Sequence, residues 1–199
     1  CGGRDLRMYR FLLLTILVVT LVACAVSPTG RRQLALFPDA QMAEMGAAAF
    51  DQIRQQVPAS DDARLNRYVQ CVADALVVEL EEEYARDDWE VVVFEDDSAN
   101  AFALPGGRIG VHAGLLEVAR NQDQLATVIA HEIAHVIADH SNERVSTAYA
   151  TESGLKLAQV LAGGPSDGQS TLMGLLGLGA QFGILMPFSR TQESEADII

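Results

Sequence analysis

The sequence contains little cysteine, which limits how the fold can be held together. Only three of the 199 residues are cysteine. Cys1 precedes the predicted initiator Met8, and Cys24 is predicted to carry a lipid. These two assignments leave Cys71 alone, so no disulfide framework is predicted. Cys71 falls in an apolar helical register, and we interpret it as a small buried hydrophobic residue rather than as a nucleophile.

Positive charge is also scarce. The chain has 14 lysine and arginine residues against 27 aspartate and glutamate residues, which gives a net charge of −13. Residues 1–23 hold three arginines and one aspartate, so the remainder carries a net charge of −15. Such a charge argues against binding to nucleic acid or to anionic lipid. No internal repeat is present, and the length predicts one domain with a sizeable core.

Two of the four histidines lie four residues apart on a predicted helix. Residues 123–140 follow short polar residues that can cap a helix, and their apolar side chains recur at three- and four-residue steps. On such a helix His131 and His135 project from one face, about 6 Å apart along the axis. Glu132 lies one step round and faces the same cleft. The buried stripe is predicted to contain Leu125, Val128, Ile129, Ile133, Val136 and Ile137.

The pattern His-Glu-x-x-His predicts a catalytic zinc site. Two neutral imidazoles suit Zn²⁺, and a catalytic zinc takes a third protein ligand and keeps a position for water. Glu132 would be the general base, which takes a proton from water and hands it to the leaving amine. The alternative is a solvated helix, which is disfavoured because His131 and Glu132 lie between apolar pairs where an unpaired charge would be costly. We therefore predict one Zn²⁺ per chain, held by His131 and His135.

Glu193 is the predicted third ligand. Ser189 and Gln192 have the spacing of a capping box, which predicts that a helix starts at Ser189. On that helix Glu193 and Asp197 share one face, so Asp197 can hydrogen-bond a ligating histidine. Without the histidine pair, this segment would be interpreted as an acidic surface helix.

The other two histidines are not predicted to bind metal. His140 lies nine residues after His131, whereas a metzincin places its third histidine ten residues after the first and has a glycine where this chain has Ala138. We interpret His140 as a capping or packing residue at the C-terminus of the predicted helix over residues 123–140. His112 stands alone in a predicted strand, where a packing or surface role is favoured.

The N-terminal region has the pattern of a secretory signal. Residues 8–23 combine an arginine, a short apolar core and small residues before Cys24, and the core is too short to span a bilayer comfortably. Leu-Val-Ala-Cys resembles a bacterial lipoprotein box, which implies cleavage before Cys24 and its acylation. The alternative is an uncleaved membrane anchor. Residues 1–7 precede the predicted initiator Met8 and carry no pattern.

The remaining chain predicts an α+β domain over residues 39–199, after a tether over residues 24–38. Helices are predicted over residues 39–56, from an Asp61 and Asp62 cap to about Tyr84, and over 141–161; strands are predicted over 89–94, 100–104 and 108–112. Residues 105–107 fit a type II turn, so the last two strands form a hairpin before the zinc helix. An edge strand there, containing Asn100, Ala101 and Phe102, could hold an extended peptide. Residues 163–168 are predicted to be a loop, and residues 172–186 an apolar helix that is buried or lies at an interface.

Three sequence blocks together resemble one known family. Asn-Ala-Phe-Ala-Leu-Pro-Gly-Gly at 100–107, the block at 130–135 and Ser-Arg-x-x-Glu-x-x-Ala-Asp at 189–197 look like the signature blocks of the HtpX and CAAX-prenyl-protease (Ste-type) zinc metallopeptidases. The resemblance implies a mostly helical, gluzincin-type (zincin-like) domain with zinc on His131, His135 and Glu193. It also implies that Glu132 is the catalytic base and that Asp197 supports the site, although in the family its counterpart is sometimes assigned as a proton donor. Residues 28–34 are similar to the tether of the family's bacterial periplasmic lipoprotein branch.

The function that this resemblance implies is a lipid-anchored endopeptidase at the periplasmic face of the bacterial envelope. Ala25 after Cys24, rather than an aspartate, favours the outer over the inner membrane by analogy with bacterial lipoproteins. The substrates of the endopeptidase would be unfolded or misassembled envelope proteins. Family members usually supply a later histidine that stabilises the oxyanion; the chain ends at Ile199, so we expect either a partial sequence or a role for Tyr149 or Arg190. Two alternatives are a chaperone-like envelope assembly factor with a structural zinc and an integral membrane protease. The sequence does not indicate an oligomeric state.

Overall fold

The structure is a computed structural model that describes residues 24–82, 84, 88–161 and 187–199. It confirms an α+β fold. The strands are β1 (Cys24–Val26), β2 (Arg32–Leu34), β3 (Glu90–Phe94), β4 (Ala101–Leu104) and β5 (Arg108–His112), and the helices are α1 (Asp39–Gln56), α2 (Ala63–Val77), α3 (Leu115–Val118), α4 (Gln122–Ile137), α5 (His140–Leu161) and α6 (Arg190–Ala196). The predicted signal over residues 8–23, the loop over 163–168 and the apolar segment over 172–186 lie outside the described residues.

A three-stranded sheet lies beside the metal-site helix. Its strand order is β3-β5-β4, with β3 parallel and β4 antiparallel to β5. The predicted hairpin is confirmed: Gly106 in the turn has φ +80°, the value that a type II turn requires at its third position. Strand β4 is therefore an edge strand of the described sheet, and helix α4 packs against it.

The main core lies where helices α2 and α4 meet the sheet. It is a cluster of small and branched apolar side chains, with a second cluster under helix α1 that includes Met42, Phe50, Phe94 and Leu104. The bounds of α1 match the prediction, and its residues Met42, Ala49 and Phe50 are buried as the periodicity requires. The fully buried side chains of the main cluster are Val69, Ala73, Ile109, Val111, Leu125 and Ile129.

Two predictions for helix α2 are wrong. The helix ends at Val77 rather than near Tyr84, because tight i to i−3 bonds at Glu79 and Leu80 turn the chain. Cys71 is exposed rather than buried. The helix buries Val69 and Ala73, and Cys71 is two positions from each, which rotates it about 200° away from both on a helix.

The metal-site helix is shorter than predicted. Helix α4 ends at Ile137, and Asp139 adopts a left-handed conformation with φ +55° that stops the helix. Aspartate is among the residues that tolerate this conformation. His140 is consequently not at the C-terminus of α4 but is the first residue of α5, where its side chain is fully buried.

The segment predicted to be a tether is folded against the domain. Strands β1 and β2 pair in antiparallel fashion, and their connecting turn, residues 27–31, reaches the buried side chain of Glu195 on α6. Periodicity could not reveal this contact, because its two halves lie at opposite ends of the described chain. Among the described residues, we find no helix whose length and apolar character would suffice to cross a membrane.

Candidate metal centre

Helices α4 and α6 bring the three predicted ligands together. His131 Nε2 lies 3.1 Å from His135 Nε2 and 3.2 Å from Glu193 Oε2, and His135 Nε2 lies 3.8 Å from Glu193 Oε1. Tetrahedral zinc with ligands at about 2.0–2.1 Å separates its ligand atoms by about 3.3 Å, so the donor set fits Zn²⁺. Among the described residues this is the one group of three or more histidine, cysteine, aspartate or glutamate side chains that could hold a metal.

Local sequence fixes both helices. Asn121 caps α4 by accepting a hydrogen bond from the Gln124 N–H. Ser189 and Gln192 form the predicted capping box at the start of α6. The side chains of His131 and Glu193 are 25% and 47% exposed, so one side of the ligand group faces solvent.

The second nitrogen of His131 faces a carboxylate. His131 Nδ1 lies 3.0 Å from Asp197 Oδ1. Because Nε2 faces the other ligands, Nδ1 is the nitrogen that contacts the Asp197 carboxylate. Asp197 ends α6 as its C-cap residue, and its side chain is 71% exposed. This contact orients the ring of His131, as partners of ligating histidines commonly do.

The second nitrogen of His135 faces another imidazole. His135 Nδ1 lies 2.8 Å from His140 Nδ1, and His140 Nε2 lies 3.0 Å from Glu195 Oε2. The ring of Phe188 stacks on His135 at a centroid separation of 3.7 Å. Burial, reinforced by nearby positive charge, lowers the pKa of His135 to about 3, so its ring stays neutral as a metal ligand must.

Glu195 is the buried acid behind this histidine pair. Its carboxylate accepts hydrogen bonds from Ser27 and Thr29, and from Arg31 Nε at 2.6 Å. Burial opposes the charged form, but these donors together with His140 outweigh it and lower the pKa of Glu195 to about 2. Sequence reasoning missed Glu195, because its partners come from segments far apart in the chain.

Glu132 lies beside the ligand group without belonging to it. Burial, opposed by the charge of His131, raises the pKa of the Glu132 carboxyl to about 7. The backbone of Ala103, on edge strand β4, faces this carboxyl and lowers its pKa, but by less than burial raises it. A carboxyl with a pKa near neutrality can both take up and release a proton at physiological pH.

The predicted peptide-binding residues occupy strand β4 or precede it directly. The Asn100 carbonyl accepts a hydrogen bond from His112 N at 3.0 Å, so the register directs the backbone groups of Phe102 toward β5 as well. By the same alternation, Ala101 and Ala103 direct theirs outward. The Phe102 ring packs with Phe94 in the second core cluster.

The remaining candidates lie elsewhere. His112 bonds Ser98 through Nδ1 at 2.7 Å, and its ring packs against Phe102, as expected of a packing residue. Tyr149 packs edge-on against Phe37, and Arg190 is exposed in the first turn of α6. Cys24 begins strand β1.

Comparison with known proteins gives a family and several relatives. The family model described as "Peptidase family M48" matches residues 61–199. The chain is 40% identical to "Mitochondrial metalloendopeptidase OMA1" of Schizosaccharomyces pombe over 111 residues, which cover 56% of this chain and 31% of the relative.

Bacterial relatives match more of the chain. "Beta-barrel assembly-enhancing protease" of Yersinia pestis is 33% identical over 166 residues, covering 81% of this chain and 33% of the relative. The protein of the same name in Escherichia coli (strain K12) is 30% identical over 164 residues, covering 80% and 33%. The chain thus spans about a third of the length of these curated relatives.

Proposed function

The chain belongs to peptidase family M48, and from this premise we propose that it is a zinc-dependent metalloendopeptidase. The observation that carries the proposal is the convergence of His131, His135 and Glu193, from two helices, into one group of ligand atoms within 4.8 Å of one another. Within the family, resemblance of the three motif blocks to the HtpX and CAAX-prenyl-protease members supports a place near that branch.

Glu132 is the general base of the proposed reaction. Zinc, when bound, supplies a Lewis acid that polarises the peptide carbonyl and makes water a better nucleophile at neutral pH. Glu132 takes the proton of the attacking water and returns it to the leaving amine. Its pKa of about 7 suits both transfers. Asp197 orients His131 rather than donating a proton, which accords with the 3.0 Å contact between its carboxylate and Nδ1.

Strand β4 is the proposed binding site for the peptide substrate. Its outer edge is not paired with any other strand among the described residues, and the backbone groups of Ala101 point outward. An extended peptide can add to such an edge through main-chain hydrogen bonds. Such binding depends on the backbone of the peptide rather than on its side chains, so it suits unfolded segments of many sequences.

The proposed substrates are unfolded or misassembled proteins of the bacterial envelope. The names of the bacterial relatives, which refer to β-barrel assembly, support this class, whereas other relatives are named as mitochondrial. The lipoprotein box supports a lipid anchor on Cys24 at the periplasmic face, and Ala25 after it favours the outer membrane. The alternative of an assembly factor with a structural zinc is less favoured, because such sites usually have four protein ligands and this group has three.

The proposal is tested by zinc content and casein cleavage, measured together for the wild type and three variants. Glu132→Gln is expected to keep about one zinc and to lose cleavage at least about 100-fold, since it removes the base. Glu193→Ala is expected to lose zinc. Glu117→Gln, which changes an exposed glutamate on α3, is the matched control and should retain both properties. A wild type that binds zinc tightly but cleaves no peptide bond would refute the peptidase function.

A further inference from the structure

The turn at residues 27–31 contacts a chain of side chains that ends at a metal ligand. We propose that this turn, through Glu195 and His140, positions His135 for metal binding. The inference rests on the proposed function, because it makes the turn, Glu195 and His140 positioning groups of the same metal centre. It gives the folded N-terminal segment a role in the site that neither the family motifs nor the zinc ligands require.

The hydrogen bonds from His135 to Glu195 can run in only one direction. His135 Nε2 faces the other ligands, so its proton is on Nδ1 and is donated to His140 Nδ1. His140 Nδ1 is then an acceptor, and the proton of that ring is on Nε2, which donates to Glu195 Oε2. The Glu195 charge thus polarises two imidazoles in series and makes His135 Nε2 a stronger donor to a metal.

The contacts that orient the His135 ring are buried. The side chains of His135, His140 and Glu195 are 2%, 0% and 4% exposed. Between these three side chains water cannot replace a lost partner, and a broken bond there would leave a buried polar group unsatisfied. The Asp197 contact with His131 differs in this respect, because that carboxylate is 71% exposed. The ring of His135 is consequently held more firmly than that of His131.

The turn supplies most of the partners of Glu195. Ser27, Thr29 and Arg31 all donate to its carboxylate, while the fourth donor is His140. Arg31 also forms a two-point ion pair with Glu143, at 2.6 and 2.8 Å, which fixes the turn to α5. Without the turn, Glu195 would keep one of these four donors and remain a buried charge.

Loss of the turn would also disturb a second ligand. Glu195 and Glu193 lie on the same seven-residue helix, α6. A shift of α6 that relieves an unpaired Glu195 would carry Glu193 away from the histidines. The turn thus acts on the metal centre by two routes, through the ring of His135 and through the placement of α6.

Zinc affinity tests the proposal without reference to proteolysis. We would measure the zinc dissociation constant of the purified chain by competition with a fluorescent chelator. Glu195→Gln, which removes the charge at constant shape, and Thr29→Val, which removes a hydroxyl at constant shape, should each weaken binding about 10–100-fold. Thr29→Ser keeps the hydroxyl and should restore affinity to within about threefold of the wild type.

Ser146→Ala is the control for simple attachment of the N-terminal segment. Ser146 Oγ accepts a hydrogen bond from Leu36 N at 2.8 Å but does not contact the histidines. This variant should lower the melting temperature and leave zinc affinity within about threefold. Nitrogen NMR of the zinc-loaded chain should show His135 protonated at Nδ1 and His140 at Nε2.

The outcomes separate the two proposals. If Glu195→Gln and Thr29→Val bound zinc as tightly as Ser146→Ala, or if His140 carried its proton on Nδ1, the positioning role would be refuted. A wild type with the expected zinc affinities and tautomers but no cleavage of casein would refute only the peptidase function. A wild type that bound no zinc would refute both.

Discussion

At the scale of single residues, the two ligating histidines are oriented by different kinds of partner. His131 contacts the carboxylate of the exposed Asp197, whereas His135 forms a hydrogen bond with the buried His140. An exposed carboxylate is screened by water and moves freely, while a buried imidazole is fixed by its own packing. The cleft side of the metal site is therefore the adaptable side, and the side facing the core is rigid.

Asp139 is expected to make the free energy of unfolding depend on pH. Burial, partly opposed by the hydrogen bond from Asn142, raises the pKa of Asp139 to about 7. The folded chain then holds this proton at pH values where the unfolded chain has released it. The contribution of Asp139 to the free energy of unfolding is thus most favourable below pH 4, falls as the pH rises toward 7 and stays low above it.

Asp139→Asn should remove this dependence. Asparagine also tolerates the left-handed backbone and can accept the hydrogen bond from Asn142. The variant should melt a few degrees higher than the wild type at pH 8, with a difference that shrinks toward pH 4.5. Thermal melts of the metal-free chain would measure it, with exposed Asp51→Asn as the charge-matched control. Equal pH profiles for Asp139→Asn and the wild type would contradict the assignment.

At the scale of elements, the short helix α6 depends on its cap. Seven residues are too few for a helix to be stable alone, and the capping box satisfies two of its free backbone groups. This helix carries Glu193 and Glu195, so its geometry sets the third ligand and the acid behind His140. The strength of a local cap is thereby linked to the metal site.

Ser189→Ala should weaken α6 and zinc binding together. Loss of the cap costs about 1 kcal/mol, which corresponds to roughly fivefold weaker zinc binding if the helix frays in the metal-free chain. Chelator competition and thermal melts would measure both effects. Ser194→Ala is the matched control, since Ser194 is exposed within the same helix and alanine favours helices. Unchanged affinity in Ser189→Ala would show that α6 is held by its contacts alone.

Element boundaries show where sequence reasoning succeeds and where it fails. The bounds of α1 and the β4–β5 hairpin were predictable, since periodicity and turn residues are local signals. The end of α4 was not, because Asp139 leaves the helix in favour of a left-handed turn that places His140 against His135. That contact joins side chains only five residues apart, but it crosses from one helix to the next, so helix periodicity does not reveal it.

At the scale of the whole molecule, zinc would join parts that are distant in sequence. His131 and Glu193 are 62 residues apart, and the turn that supports His135 lies further still from α6. A ligand that binds only the folded chain stabilises it by about 2.7 kcal/mol at a free concentration 100 times its dissociation constant. Metal binding is therefore expected to contribute to the stability of the whole domain.

Removal of zinc should lower the melting temperature of the wild type by about 5–10 °C, given about 2–4 °C per kcal/mol for a chain of this size. Glu193→Ala, which lacks one ligand, should show little change with chelator. Differential scanning calorimetry with and without zinc would measure the shift. The same shift in both chains would place the stabilising zinc away from His131, His135 and Glu193.

The sequence by itself determined the local features of this protein. Residue spacing along one helix placed His131, Glu132 and His135 together, and the capping box placed Glu193 on a second helix. Tertiary structure alone decided how distant segments meet. It brought Glu193 to the histidines, exposed Cys71 and folded the expected tether onto Glu195. The physical reason is that helix periodicity and caps act within a few residues, whereas a buried ion or hydrogen-bond network is satisfied by whichever segments the packed core brings within reach.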